Sequence, residues 1–171
     1  MSWKYYGQER PPFAEIPKKG QESVWDYPRP PRLEIDHREV LVKYHSTLIA
    51  RTHRAIRILE TASPPTYYIP PSDVIWEELE PHPGLSFCEW KGSASYWSLR
   101  SSDVKEPTAW SYCHPSDAFA DIANYVCFYA GKVACYIDGE RVKPQSGRFY
   151  GGWITNALTG PFKGEPGTES W

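Results

Sequence analysis

Glu60 closes an apolar run, Ala55-Ile56-Arg57-Ile58-Leu59-Glu60, and Lys91 sits between Trp90 and Gly92. A carboxyl at the edge of an apolar strand can serve as general acid or base. An ammonium set among aromatics can steady developing negative charge. The plainer reading of the same two residues is an ion pair at a sheet rim. Cys88 and His114 add a thiol and an imidazole, which need only meet in space to form a nucleophilic pair. Around these lie Arg57, Tyr67, Tyr68, Tyr96, Trp97, Trp110 and Tyr112. Aromatic faces with a few convergent polar groups are what small-molecule pockets are made of, and they hold flat rings or cations. The chain carries 8 Trp and 12 Tyr, more rings than a core of this size requires. The sequence therefore predicts an aromatic-walled pocket, with those seven residues and Cys88 as ligand contacts and Glu60 and Lys91 as its polar handles. The competing view of Trp97 and Trp110 is simple core.

Familiar catalytic templates are missing. The sequence holds no Gly-x-x-x-x-Gly-Lys-Ser/Thr phosphate loop, no Gly-x-Gly-x-x-Gly turn and no Gly-x-Ser-x-Gly elbow. The cysteines Cys88, Cys113, Cys127 and Cys135 lie 25, 14 and 8 residues apart, without a Cys-x-x-Cys knuckle. His37, His45 and His53 recur at eight-residue steps, where packing or exposure is the expected role. No metal and no cofactor are expected.

With 171 residues the chain fits one domain, and 19 Lys+Arg against 21 Asp+Glu leave a net charge of −2. A general nucleic-acid binder needs a basic excess, so nucleic acid is not an expected partner. The longest apolar stretch, Tyr125–Ala130, is too short to span a bilayer, and the N-terminal residues lack the apolar core of a signal peptide. We therefore expect a cytoplasmic protein with no membrane partner and reduced thiols, existing as a monomer or homodimer that binds a small molecule.

Seventeen prolines disfavour long helices and a parallel, helix-flanked sheet. Short β-branched or alternating runs predict strands at Val40–Tyr44, Leu48–Arg51, Ala55–Glu60, Thr66–Ile69, Leu85–Glu89, Ala94–Leu99, Ala109–Tyr112, Tyr125–Tyr129 and Val133–Ile137. Asp138-Gly139 predicts a tight hairpin before Glu140–Lys143. Short helices are expected at Asp73–Leu79, capped by Ser72, and from Ser116-Asp117 through Asn124. Residues 1–37 form a Pro- and aromatic-rich arm that should pack on a core at 38–135, with 136–171 as a Gly- and aromatic-rich extension of the same domain. Trp90-Lys91-Gly92 and Phe162-Lys163-Gly164 echo each other, too briefly to make a repeat.

A set of motifs in fixed order carries a resemblance. They are Arg57-x-Leu59-Glu60-Thr61, Tyr67-Tyr68-Ile69-Pro70, Cys88-Glu89-Trp90-Lys91-Gly92-x-Ala94-x-Tyr96-Trp97, Trp110-Ser111-Tyr112-x-x-Pro115 and Tyr125-Val126-x-Phe128-Tyr129. In these the chain resembles the family grouped as domain of unknown function 427, which also bears a nucleotidyltransferase-type name, and its flanks look like those of the longer members. The resemblance implies a mainly β fold of the β-tent kind, a pair of antiparallel sheets with one or two short helices and ordered irregular termini. Methionine sulfoxide reductase B and the ligand-binding domain of cereblon share that architecture, but fold alone transfers neither zinc nor reductase chemistry. Nucleotidyl transfer is poorly matched, because Gly151-Gly152 is followed by no acid until Glu165. The expected function is binding of a flat heterocycle or nucleotide-like metabolite. The alternative is a small metabolic enzyme with Glu60 as general acid or base and Lys91 as charge stabiliser.

Overall fold

The computed structural model describes residues 3–147 and 150–171. Met1, Ser2, Arg148 and Phe149, which belong to the expected terminal arm and extension, lie outside the described residues. In chain order the strands are β1 (Glu22–Ser23), β2 (Arg32–Asp36), β3 (Val40–Tyr44), β4 (Thr47–Thr52), β5 (Ala55–Leu59), β6 (Thr66–Tyr68), β7 (Leu79–Cys88), β8 (Gly92–Leu99), β9 (Ala109–Ser111), β10 (Val126–Phe128), β11 (Ala134–Ile137), β12 (Glu140–Arg141), β13 (Lys143–Pro144), β14 (Trp153–Ile154) and β15 (Leu158–Thr159). The protein is mainly β, with most strands in antiparallel sheets.

Two four-stranded sheets, ordered β10-β9-β8-β7 and β12-β11-β3-β4, are joined by a three-stranded sheet, β2-β5-β6. An isolated antiparallel bridge between Ile69 and Val126 couples the end of β6 to β10, which brings the three-stranded sheet against the first four-stranded one. Two small ladders, β13-β14 and the parallel pair β1-β15, tie the ends of the chain to the body.

Local chemistry explains most of these boundaries. Asp138 and Gly139 both take positive φ, 46° and 83°, as the two-residue turn between β11 and β12 demands. Strand β7 begins at Leu79, six residues before the predicted Leu85. The register shift between His82 and Leu85 absorbs Pro83 and Gly84 as a bulge, so the proline does not end the strand. The predicted helix at Asp73–Leu79 is instead two single 3₁₀ turns, Pro71–Asp73 and Trp76–Glu78. Ser72 caps neither; its hydroxyl accepts a hydrogen bond from Arg54 at 2.8 Å. The second helical segment, Asp117–Ile122, is also 3₁₀ and is kinked at Phe119. Among the described residues no helix is long and apolar enough to cross a membrane.

Three apolar clusters form the interior. The largest gathers Val40, Val42, Ile49, Phe128, Cys135 and Trp153 between the sheets. A second is built on Ile56, Ile58, Tyr68, Trp110, Tyr112 and Cys127. The third centres on Trp25, which is 1% exposed and meets the rings of Tyr5, Phe13 and Trp171 at 5.2–5.3 Å. Its indole N–H donates to the Pro161 carbonyl at 3.1 Å, so both terminal segments are pinned through one side chain.

Candidate functional site

Strand alternation decides which side chains share a face. On β5, Ile58 points into the second cluster while Arg57 and Leu59 point away from it. On β6, Tyr68 faces the same side as Ile58. Tyr96 of β8, Trp110 of β9 and Tyr112, two residues beyond Trp110, join them, and Tyr129 follows at the end of β10. These side chains line a cavity of about 710 Å³, within the ordinary size range of small-molecule sites.

The aromatic wall is fixed by its own hydrogen bonds and packing. Trp110 Nε1 donates to the Tyr68 hydroxyl at 3.1 Å, and the Trp110 and Tyr129 rings lie 4.5 Å apart. The Tyr96 and Ser86 hydroxyls are 2.6 Å apart across the β7–β8 pair. Burial pushes the Tyr68, Tyr112 and Tyr129 phenols well above their usual range, so they stay neutral donors. Gly151 lies flat against Trp110, and any Cβ there would run into the indole ring. A Cβ on Gly152 would meet the Gln145 amide and Pro64 at 2.5–2.6 Å. Close approach, not phosphate binding, therefore explains the Gly-Gly pair.

Charged groups sit at the margins. Glu60 lines the cavity and pairs with Arg29 at 3.4 Å, its side chain 23% exposed. Lys91 also lines the cavity, with its ammonium 6.0 Å from the Tyr112 ring centre. Glu60 and Lys91 form no ion pair with each other. Lys132, another lining residue, is paired with Glu106 at 2.9 Å. Cys88 contributes to the wall, but no hydrogen bond joins it to His114 among the described residues, and His114 is not a lining residue. All four cysteines are free thiols.

Three residues expected at the site lie elsewhere. Arg57 is held between Glu34 (2.6 and 3.0 Å) and Glu22 (2.8 and 3.1 Å) on the opposite face of β5. Tyr67 stacks on Trp153 at 5.0 Å and accepts a hydrogen bond from Arg38 at 3.0 Å. Trp97 donates to the Ser111 hydroxyl at 3.0 Å and packs edge-on against Trp76 at 4.9 Å, in the main core. Each adjoins a lining residue in sequence (Ile58, Tyr68 and Tyr96), and the two-residue strand period turns it to the other side. Of the recurrent histidines, His37, His45 and His53 are all exposed. Among the described residues no group of three His, Cys, Asp or Glu is arranged to hold a metal ion.

Other lining residues come from far away in sequence. Trp3 from the N-terminal segment, and Gln145, Tyr150, Gly151 and Lys163 from the C-terminal one, help to close the cavity. Trp3 lies under two cations, with the Arg29 guanidinium 4.0 Å and the Lys163 ammonium 4.7 Å from its ring. The only hint of this in the sequence is the Lys-Gly echo at Phe162-Lys163-Gly164.

Fold and cavity together define a mainly β protein with an aromatic-walled hollow. The chain belongs to the family described as Domain of unknown function (DUF427), whose model, named NTP_transf_9, matches residues 32–139. No curated protein matches the sequence.

Proposed function

We propose that the protein is a small-molecule-binding β-domain whose ligand is a flat heterocycle or a nucleotide-like metabolite. The observation that carries this reading is a hollow of about 710 Å³ faced by Tyr68, Tyr96, Trp110, Tyr112 and Tyr129. Ring burial against such walls supplies affinity, and Lys91 and Glu60 orient polar substituents. Thermal-shift screening of nucleosides, nucleotides and free heterocycles tests it. A binder should raise the melting temperature of the wild type and leave a folded Trp110→Ala variant unmoved. No stabilisation by any of them, with Trp110→Ala unfolded, would reduce the rings to core.

A second reading is a small enzyme in which Glu60 is general acid or base and Lys91 stabilises charge. It is favoured by the placement of the Glu60 carboxyl at the cavity wall, with partial solvent access. Turnover lost in Glu60→Gln, at unchanged stability, would select it over simple binding.

A further inference from the structure

Lys163 is 7% exposed, and fully charged lysines are almost never so buried without a carboxylate partner. Among the described residues it has none within ion-pair distance; its ammonium nitrogen makes one hydrogen bond, to the main-chain oxygen of Trp171 at 3.2 Å. The chain holds it in place from behind. The Gln145 amide donates to the Lys163 carbonyl at 2.7 Å, and the Lys163 N–H donates to the Ala62 carbonyl at 2.8 Å. Its Nζ lies over Trp3 and 5.9 Å from the Tyr150 ring centre, and it shares the Trp3 face with the Arg29 guanidinium. A lysine amine desolvated beside a second cation is the arrangement that frees the nitrogen lone pair for attack on carbonyl carbon. The two other lysines of the cavity differ: Lys132 is neutralised by Glu106, and Lys91 is only partly buried.

We propose that Lys163 is a nucleophilic amine of the cavity and forms an imine with an aldehyde or ketone group on a small ligand. The proposal rests on the cavity being a ligand site and names a chemical class for its occupant. The Nζ lone pair adds to the carbonyl carbon as the carbonyl π pair moves to oxygen. The two amine protons leave with that oxygen as one water molecule, giving a C=N bond with no change of oxidation state. Burial, and then the Arg29 charge, lower the Lys163 pKa from the ordinary lysine value; Glu60, Glu89 and Glu169 oppose this more weakly. The amine is thus available closer to neutral pH than that of an exposed lysine.

The experiment treats the full chain near neutral pH with pyridoxal, a flat heteroaromatic aldehyde, and in parallel with propionaldehyde. Borohydride traps the imine, and peptide mass mapping locates it. Selective modification of Lys163, several-fold above exposed lysines such as Lys18 and Lys19, is the expected result. Loss of the one-adduct species in Lys163→Arg, which keeps the cation, should accompany it. Labelling spread over exposed lysines with Lys163 unmodified by either aldehyde would overturn the proposal, and because that result is read on the wild type it does not depend on how the variant folds. Pyridoxine, the corresponding alcohol, reports separately on ring binding by thermal shift. If pyridoxine binds and Lys163 stays unlabelled, the covalent step fails while the cavity reading stands; if neither occurs, both fail.

Discussion

The Trp110 indole and the Tyr68 phenol meet edge to face, 6.2 Å between ring centres, with the indole N–H donating to the phenol oxygen at 3.1 Å. Both rings face the cavity, so this one bond couples the shape of the site to the stability of the sheet edge where β6 approaches β9. It also satisfies a donor that would otherwise be buried without a partner.

Tyr68→Phe removes the acceptor and strands the Trp110 N–H. The expected loss is about 1–3 kcal/mol, the cost of an unsatisfied buried donor. Urea denaturation of the variant checks it. An unchanged midpoint would mean that water or another group takes over the indole N–H.

Arg29 and Glu60 are unequal partners. The Arg29 side chain is 2% exposed and donates to the main-chain oxygens of Tyr5, Thr61 and Trp171 as well as to Glu60. Arg29→Ala strips all four contacts and should cost about 3–5 kcal/mol, the range for breaking a buried charged network. Glu60→Gln keeps a carbonyl acceptor and should cost only about 1 kcal/mol. Equilibrium unfolding of both variants tests the order. Equal losses would mean that the ion pair, not the main-chain contacts, fixes Arg29.

Much of this architecture was legible because it rests on local rules. Val40–Tyr44 and Ala94–Leu99 carry β-branched and alternating residues, and Asp138-Gly139 supplies the positive φ of its hairpin. Tyr68, Tyr96, Trp110 and Tyr112 were also legible as wall residues, since Trp110 and Tyr112 sit two apart on one face. The same period-two rule separates Tyr67 from Tyr68, Trp97 from Tyr96 and Arg57 from Ile58, and treating neighbours as companions placed three residues in a site they turn away from. Trp3, Arg29 and Lys163 were beyond local reasoning. Their meeting depends on two irregular terminal segments folding over one another, and no periodicity encodes that.

Asp36 makes stability sensitive to acid. Burial alone would raise its pKa, but the Arg38 side chain, at 2.6–3.2 Å, and the Arg38 main-chain N–H, at 3.0 Å, outweigh it and bring the pKa below the usual 3.8. A carboxyl with a depressed folded pKa contributes fully above its unfolded value and loses that contribution as pH falls through the folded one. Asp26 beside Arg10 and Asp73 beside Arg54 shift the same way. Stability should therefore fall below about pH 4, and Asp36→Asn should lower neutral-pH stability while flattening that fall. Chemical denaturation across the acid range checks both, and an equal slope in the variant would exclude Asp36 as a source of the acid sensitivity.

The thiols offer a direct report on the cavity. Cys113 is exposed and Cys88 partly so, whereas Cys127 and Cys135 are fully buried, with burial raising the pKa of both. A thiol reagent should modify Cys113 first and Cys88 more slowly in the native protein, reaching Cys127 and Cys135 only on unfolding. Because Cys88 lines the hollow and the exposed Cys113 does not, a bound heterocycle should slow modification of Cys88 and leave Cys113 unchanged. Mass spectrometry of peptides taken at successive times, with Cys88→Ser as control, measures the two rates separately. Protection of both thiols would indicate a global tightening instead of an occupied site, and protection of neither by a compound that raises the melting temperature would place that compound somewhere else on the protein.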